Sequence, residues 1–140
     1  MIILDTNVVS ELMRPAPSAV VRDWILARGN QELFTSAITL AEVSYGIQRL
    51  QDGQRKAALT ATALDVFGAF EDHVLAFDAR AAALYGEIVD ARDRQGAPID
   101  GFDAQIAAIC RVHDAALATR NVKDFQQTGI DVIDPWSDKP

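Results

Sequence analysis

The sequence predicts a three-layer α/β/α protein built on a central parallel sheet of about five strands. Three observations lead there. Short apolar runs of strand length alternate with longer stretches of helical periodicity, the pattern of strand–helix units whose sheet is covered on both faces. The first run, Met1-Ile2-Ile3-Leu4, has no polar alternation, as expected of a strand buried on both sides. The 140 residues, 49% hydrophobic and 24% charged, suit one domain over residues 1–140 with a sizeable core.

Taken in order, the first strand ends where Asp5-Thr6-Asn7 breaks the apolar run. Val8 to Met13 is a short helix, stopped ahead of Pro15 and Pro17. Ser18 to Arg28 carries Val20, Val21, Trp24, Ile25 and Ala27 at helical spacing, and Gly29-Asn30 closes it. Glu32 to Thr35 is the second strand. Ile38 to Leu50 is a strong helix on which Ile38, Ala41, Val43, Tyr45, Ile47 and Leu50 are expected to pack while Gln48 and Arg49 face out. After the Asp52-Gly53 turn a helix spans Gln54 to Phe70. His73 to Phe77 is the third strand, and Asp78 is placed to cap a helix that runs to about Arg94, where Gln95-Gly96-Ala97-Pro98 ends it. Phe102 to Val112 is an apolar helix. Ala115 to Ala118 is the fourth strand, followed by polar Thr119-Arg120-Asn121, and Ile130 to Ile133 is the fifth, followed by Asp134-Pro135-Trp136.

Composition removes several classes of function. With 13 Lys and Arg against 20 Asp and Glu, the net charge is −7, so a broad basic surface for passive nucleic-acid binding is not the global signal. The single cysteine, Cys110, excludes an intramolecular disulfide and a Cys-rich zinc site; its apolar surroundings predict a buried, inert thiol. No stretch reaches the roughly 20 apolar residues of a membrane span. No basic segment precedes an apolar one at the start, which gives the expectation of a cytoplasmic location. His73 and His113 are far apart in sequence and form no close ligand pair, which leaves little support for acid–base chemistry built on histidine.

In open parallel sheets ligands bind beyond the carboxyl ends of the strands, where the strand order reverses. Three acids are candidates there. Asp5 follows four apolar residues; it either caps the next helix or is a buried charge that needs a partner or a metal. Glu42 lies inside the most apolar helix, either exposed or at the rim of a cleft, with Arg49 within reach as a partner. Asp103 starts a late helix, where the helix dipole alone favours an acid, and Asp100 just before it is placed to cap that helix. Together the three make a different case. Carboxylates gathered from separate elements repel unless a hard cation neutralises them, and Mg²⁺ or Mn²⁺ prefers such oxygen ligands. Arg14, Arg120 and Lys123 are the cations expected near the strand ends. Trp136 is expected to pack the end of the last strand against the body, and Trp24, Phe67, Phe70 and Phe77 sit at core spacing.

Five segments occur in a recognisable order: Ile3-Leu4-Asp5-Thr6-Asn7, Thr35-Ser36-Ala37-Ile38-Thr39-Leu40-Ala41-Glu42, Phe102-Asp103-Ala104-Gln105-Ile106-Ala107-Ala108, Ala118-Thr119-Arg120-Asn121 and Asp134-Pro135-Trp136. The ordered set resembles the PIN-domain ribonucleases and, among them, the VapC-type toxins of type II toxin–antitoxin pairs, with the Thr-Arg-Asn and Pro-Trp segments most similar to the FitB-like subgroup. The resemblance implies an α/β/α fold and a Mg²⁺- or Mn²⁺-dependent endoribonuclease acting on RNA. It also implies a cognate antitoxin and a homodimer, both using the helix pair Ile38 to Leu50 and Gln54 to Phe70. Carried over by position, Asp5, Glu42 and Asp103 match the acidic metal site. The family often has a fourth acid two residues past the Thr; Asn121 stands there, and either its carbonyl oxygen holds a metal-bound water or Asp124, one turn later, supplies the missing charge. Thr6 and Asn7 are expected to orient Asp5 or its metal-bound water, Ser36 to do the same or to cap a helix, and Arg120 to contact phosphate. Two other classes compete. A receiver-like phospho-accepting domain wants an acidic pair after the first strand, and of its landmarks only Asp78 fits; a catalytically weakened binding module is motivated by Asn121.

Overall fold

The computed structural model describes residues 1–29 and 32–138. Among them one parallel sheet contains β1 (Ile2–Leu4), β2 (Leu33–Ser36), β3 (Val74–Leu75), β4 (Ala116–Ala118) and β5 (Val132–Ile133), in the order β3-β2-β1-β4-β5. The helices are α1 (Thr6–Leu12), α2 (Ala19–Leu26), α3 (Ala37–Gln48), α4 (Gln54–Phe70), α5 (Ala79–Arg94) and α6 (Gly101–Val112). Strand β1 is central, with Ile2 and Ile3 beside Leu33 and Phe34 of β2, and Ile2, Ile3 and Leu4 beside Ala116, Leu117 and Ala118 of β4.

The period of two in these strands sorts the core into two layers. Ile3 and Leu117 point to one face, where Ala104, Ile106, Ala107, Ala108 and Ile109 of α6 and Ala81 and Ile88 of α5 cover them. Leu4 and Ala118 point to the other, against Val8 and Val9 of α1, Val21 and Trp24 of α2, and Val43 and Ile47 of α3. No described helix is long and apolar enough to cross a membrane.

The chain lays β2 and β3 on one side of β1, then returns through α5 and α6 to place β4 on the other. The order therefore reverses between β1 and β4, and Asp5 and Thr119 leave the sheet side by side there, with the Asp5 N–H donating to the Ala118 carbonyl at 2.9 Å. The order 3-2-1-4-5 also separates this fold from the receiver-like alternative, whose sheet runs 2-1-3-4-5. Asp78, the one landmark of that alternative, is an N-cap: it accepts from the Ala81 N–H at 3.1 Å and pairs with Arg80.

Several sequence expectations shift. The second strand starts one residue later than Glu32, whose N–H bonds the Gly29 carbonyl at 3.0 Å. The third and fifth strands shrink to two residues each. Both lie at sheet edges and pair on one side, so their apolar runs continue past the ladder; Glu71, at φ 44°, and Gly129, at φ 83°, bend the chain before each. Ala41 and Tyr45 do not pack. The buried stripe of α3 is Thr39, Val43 and Ile47, and Tyr45 is 68% exposed on the outer face. The expected closure of α2 at Gly29-Asn30 falls partly on Asn30, outside the described residues.

Candidate active site

The cleft at the switch point has a volume of about 580 Å³ and is lined by Asp5, Thr6, Asn7, Ser10, Glu11, Arg14, Glu42, Asp103, Arg120, Asn121 and Trp136. It brings the three predicted acids together from β1, α3 and α6. Each reaches it for a local reason. Asp5 is the first residue after the central strand and the N-cap of α1. Glu42 sits one residue before buried Val43 and so at the edge of the buried stripe of α3. Asp103 is in the first turn of α6, whose N-cap is Asp100 as expected, accepting from the Phe102 and Asp103 N–H groups.

Hydrogen bonds hold two of the acids tightly. Asp5 is 4% exposed; its Oδ1 accepts from the Thr6 N–H at 2.8 Å, and its Oδ2 accepts from Thr119 Oγ1 at 2.7 Å and from Asn7 Nδ2 at 3.3 Å. Thr119 Oγ1 accepts in turn from Asn7 Nδ2 and from the Asn121 N–H, both at 3.1 Å. Thr6 Oγ1 donates to Glu42 Oε1 at 3.0 Å and contacts Thr39 Oγ1 at 3.1 Å. Ser36 caps α3 through the Thr39 N–H and stays one hydroxyl away from Thr6. Thr6 and Asn7 thus tie the acids of β1 and α3 to the loop after β4. Among the described residues no hydrogen bond holds the Asp103 carboxylate.

The electrostatics are one-sided. Burial pushes Asp5 above the usual carboxylate range, opposed by its three hydrogen bonds and reinforced by Asp124. Glu42 is raised by burial and then by Asp5 and Asp100, against the Thr6 bond. Asp103 is pushed up to about 7, first by burial and then by the charges of Asp5, Asp100, Asp124 and Glu42. No described cation lies within 4.0 Å of any of these five carboxylates. Arg49 stands by the Tyr45 ring instead of Glu42. The donor set is all oxygen, negative and unneutralised, which is what a hard divalent cation requires. Among the described residues no three of these side chains already stand at coordinating distance of one point.

Asn121 lines the cleft, and Asp124 lies in the 3-10 turn Val122–Phe125, outside the lining but close enough for its charge to raise both Asp5 and Asp103. That turn is fastened by Arg92. This guanidinium is 6% exposed and donates to the carbonyls of Ala97 at 2.7 Å, Asp124 at 2.7 Å and Gln126 at 3.0 Å. Of the cations expected at the strand ends, Arg14 and Arg120 line the cleft and Lys123 does not.

Sequence reasoning missed four participants. Thr119 is fully buried and bonds Asp5; its place directly after β4 was the signal. Glu11 lines the cleft at 7% exposure and holds Arg14 at 3.3 Å; it is four residues after Asn7, on the same face of α1. Trp136 packs as expected yet also lines the cleft. Arg92 left no local signal, because its acceptors are backbone carbonyls, two of them more than 30 residues away.

Fold and site together define an α/β protein with a cleft that gathers three carboxylates at the switch point of a parallel sheet. The PIN domain family matches residues 2–130, and the chain belongs to that family. It is 36% identical to VapC ribonuclease Y4jK of Sinorhizobium fredii over 97% of this chain and 98% of that protein. It is 34% identical to Toxin FitB of Neisseria gonorrhoeae over 99% of this chain and all of the relative. In three dimensions it matches a chain of the solved structure of FitAB bound to an IR36 DNA fragment, with a TM-score of 0.91, 33% identity, and coverage of 100% of this chain and 99% of that one.

Proposed function

We propose that this protein is a divalent-metal-dependent endoribonuclease that acts as the toxin of a toxin–antitoxin pair. The observation that carries the reading is the convergence of Asp5, Glu42 and Asp103 in one cleft, with Asp124 close by and no described cation within 4.0 Å of any of the four carboxylates. The ribonuclease and toxin relatives support it. Asp5, Glu42 and Asp103 would hold Mg²⁺, or Mn²⁺ in its place, and a bound cation there activates water and stabilises the charge that develops in phosphodiester cleavage. Asn7 and Thr119 fix the Asp5 carboxylate, and Thr6 fixes Glu42. Arg14 and Arg120, which also line the cleft, would meet the phosphates of the polyanion.

Purified protein is expected to cleave single-stranded RNA with Mg²⁺ or Mn²⁺ and to stop in excess EDTA; sustained cleavage in EDTA overturns the reading. Protons compete for Asp103 near pH 7, so metal affinity should strengthen between about pH 6 and pH 8 with release of protons.

The fourth acid is supplied by Asp124. Asp124→Ala is expected to weaken Mn²⁺ binding about fivefold, while Asn121→Asp leaves it within about twofold, as read by calorimetry. The reverse pattern assigns the fourth position to residue 121 and favours the weakened-module alternative.

A protein partner and a second copy of the chain are also part of this proposal. The pair α3 and α4 exposes Leu40, Tyr45 and Leu64, at 40%, 68% and 72%, and none of the 17 residues of α4 is fully buried. The likeness to a chain of DNA-bound FitAB supports an antitoxin as that partner.

A further inference from the structure

We propose that Arg120 and Trp136 form a nucleobase subsite at the edge of the acid cleft, taking an unpaired base of the RNA strand next to the phosphate that is cut. The inference rests on the ribonuclease reading and names how the strand is held.

The Arg120 guanidinium lies over the Trp136 ring, 4.9 Å from its centroid. Both side chains line the cleft that contains Asp5, Glu42 and Asp103. Arg120 is exposed and Trp136 half-buried, so the indole has one side on the core and another on the cleft. The second tryptophan is a useful contrast. Trp24 also carries a guanidinium, Arg28 at 3.9 Å, but it is fully buried and its indole N–H donates to Asp138 at 2.9 Å. The Trp136 indole N–H has no acceptor among the described residues.

The pair is fixed relative to the reacting centre. The Arg120 N–H donates to Asn7 Oδ1 at 3.1 Å, the next amide donates to Thr119, and Thr119 donates to Asp5. On the other side Trp136 follows buried Pro135, and its N–H donates to Asp134 Oδ1 at 2.9 Å. Two planar groups, one cationic, held next to a cluster of acids are what an unstacked base needs: aromatic and guanidinium planes accept any base face. In a protein of net charge −7 such stacking supplies RNA affinity that long-range electrostatics does not.

The test uses the full chain carrying Asp103→Asn, so that the strand stays intact. The probes are a labelled oligoadenylate and an abasic ribose-phosphate strand of equal length, read by anisotropy and by tryptophan emission. The base-bearing strand is expected to bind about tenfold tighter than the abasic one and to quench emission. Adding Trp136→Leu should remove both the preference and the quenching, and Trp136→Phe should restore most of the preference. Arg120→Gln, a change on an exposed side chain that carries the test if Trp136→Leu does not fold, should reduce the preference as well. A parent without preference, or a preference untouched by these variants, overturns the subsite. Metal-dependent cleavage by the wild type without base preference removes the subsite alone; base preference without any cleavage removes the ribonuclease reading alone.

Discussion

Asp103→Asn is expected to cost about a hundredfold or more in cleavage and yet to make the metal-free protein more stable at pH 8. The folded protein holds the Asp103 proton up to about pH 7, against an ordinary value of 3.8. Between these values the folded chain binds more protons than the unfolded one, so stability falls as pH rises through that window. The penalty is complete above pH 7 and absent below about pH 4. Asparagine carries none of it. Because the group is half-exposed and solvent screens its neighbours, the gain should be on the order of 1 kcal/mol. Thermal unfolding in chelator at pH 5 and pH 8, beside a cleavage assay with Mg²⁺, reads both effects. Equal melting of the two proteins at pH 8 would contradict the electrostatic account, and wild-type cleavage would remove Asp103 from the site.

Asp5 should behave differently, because its carboxylate is both a candidate ligand and a fastening. Asp5→Ala removes the cap of α1 and leaves the buried Thr119 hydroxyl without its carboxylate acceptor. A lost cap and an orphaned buried group cost about 2 kcal/mol together. Asp5→Asn keeps an oxygen for the Thr6 N–H and removes a buried charge, but turns an amide toward the Asn7 amide; the two effects offset, so stability should change by less than about 1 kcal/mol. Both should lose cleavage about a hundredfold or more. Comparing them by denaturant unfolding and RNA cleavage separates the charge from the scaffold. If Asp5→Asn cleaves as the wild type does, Asp5 is not a ligand.

Much of the fold was written in local pattern. The unbroken apolar run at Ile2 to Leu4 marked the central strand, and Gln54 to Phe70 read as a helix with the bounds it has. Misreadings arose where the pattern under-determines geometry. An edge strand such as Val74–Leu75 stops pairing before its apolar residues stop. Periodicity shows that α3 is helical without saying how wide its buried stripe is, so Tyr45 was placed inside. At the site, Asp5 and Asp103 were legible because each stands at the end or start of an element. Thr119 and the second role of Trp136 were not, since each gains its place through a neighbour far away in sequence. Arg92 is the extreme case: its side chain is bound by three backbone carbonyls, and carbonyls carry no residue identity.

Helix α4 lies against the body through half-buried Leu59, Ala63, Val66, Phe67 and Phe70 and contributes no residue to the fully buried core. Opening it forfeits little apolar burial compared with opening the sheet around Ile3, Leu4 and Leu117, each at most 1% exposed. Stability is therefore unevenly spread, and the α4 amides belong to a unit that opens more readily than the central sheet. A partner that covered this helix would close that unit, and would protect the molecule by mass action according to its free concentration over its dissociation constant. The lifetime of the chain then follows the supply of whatever covers it.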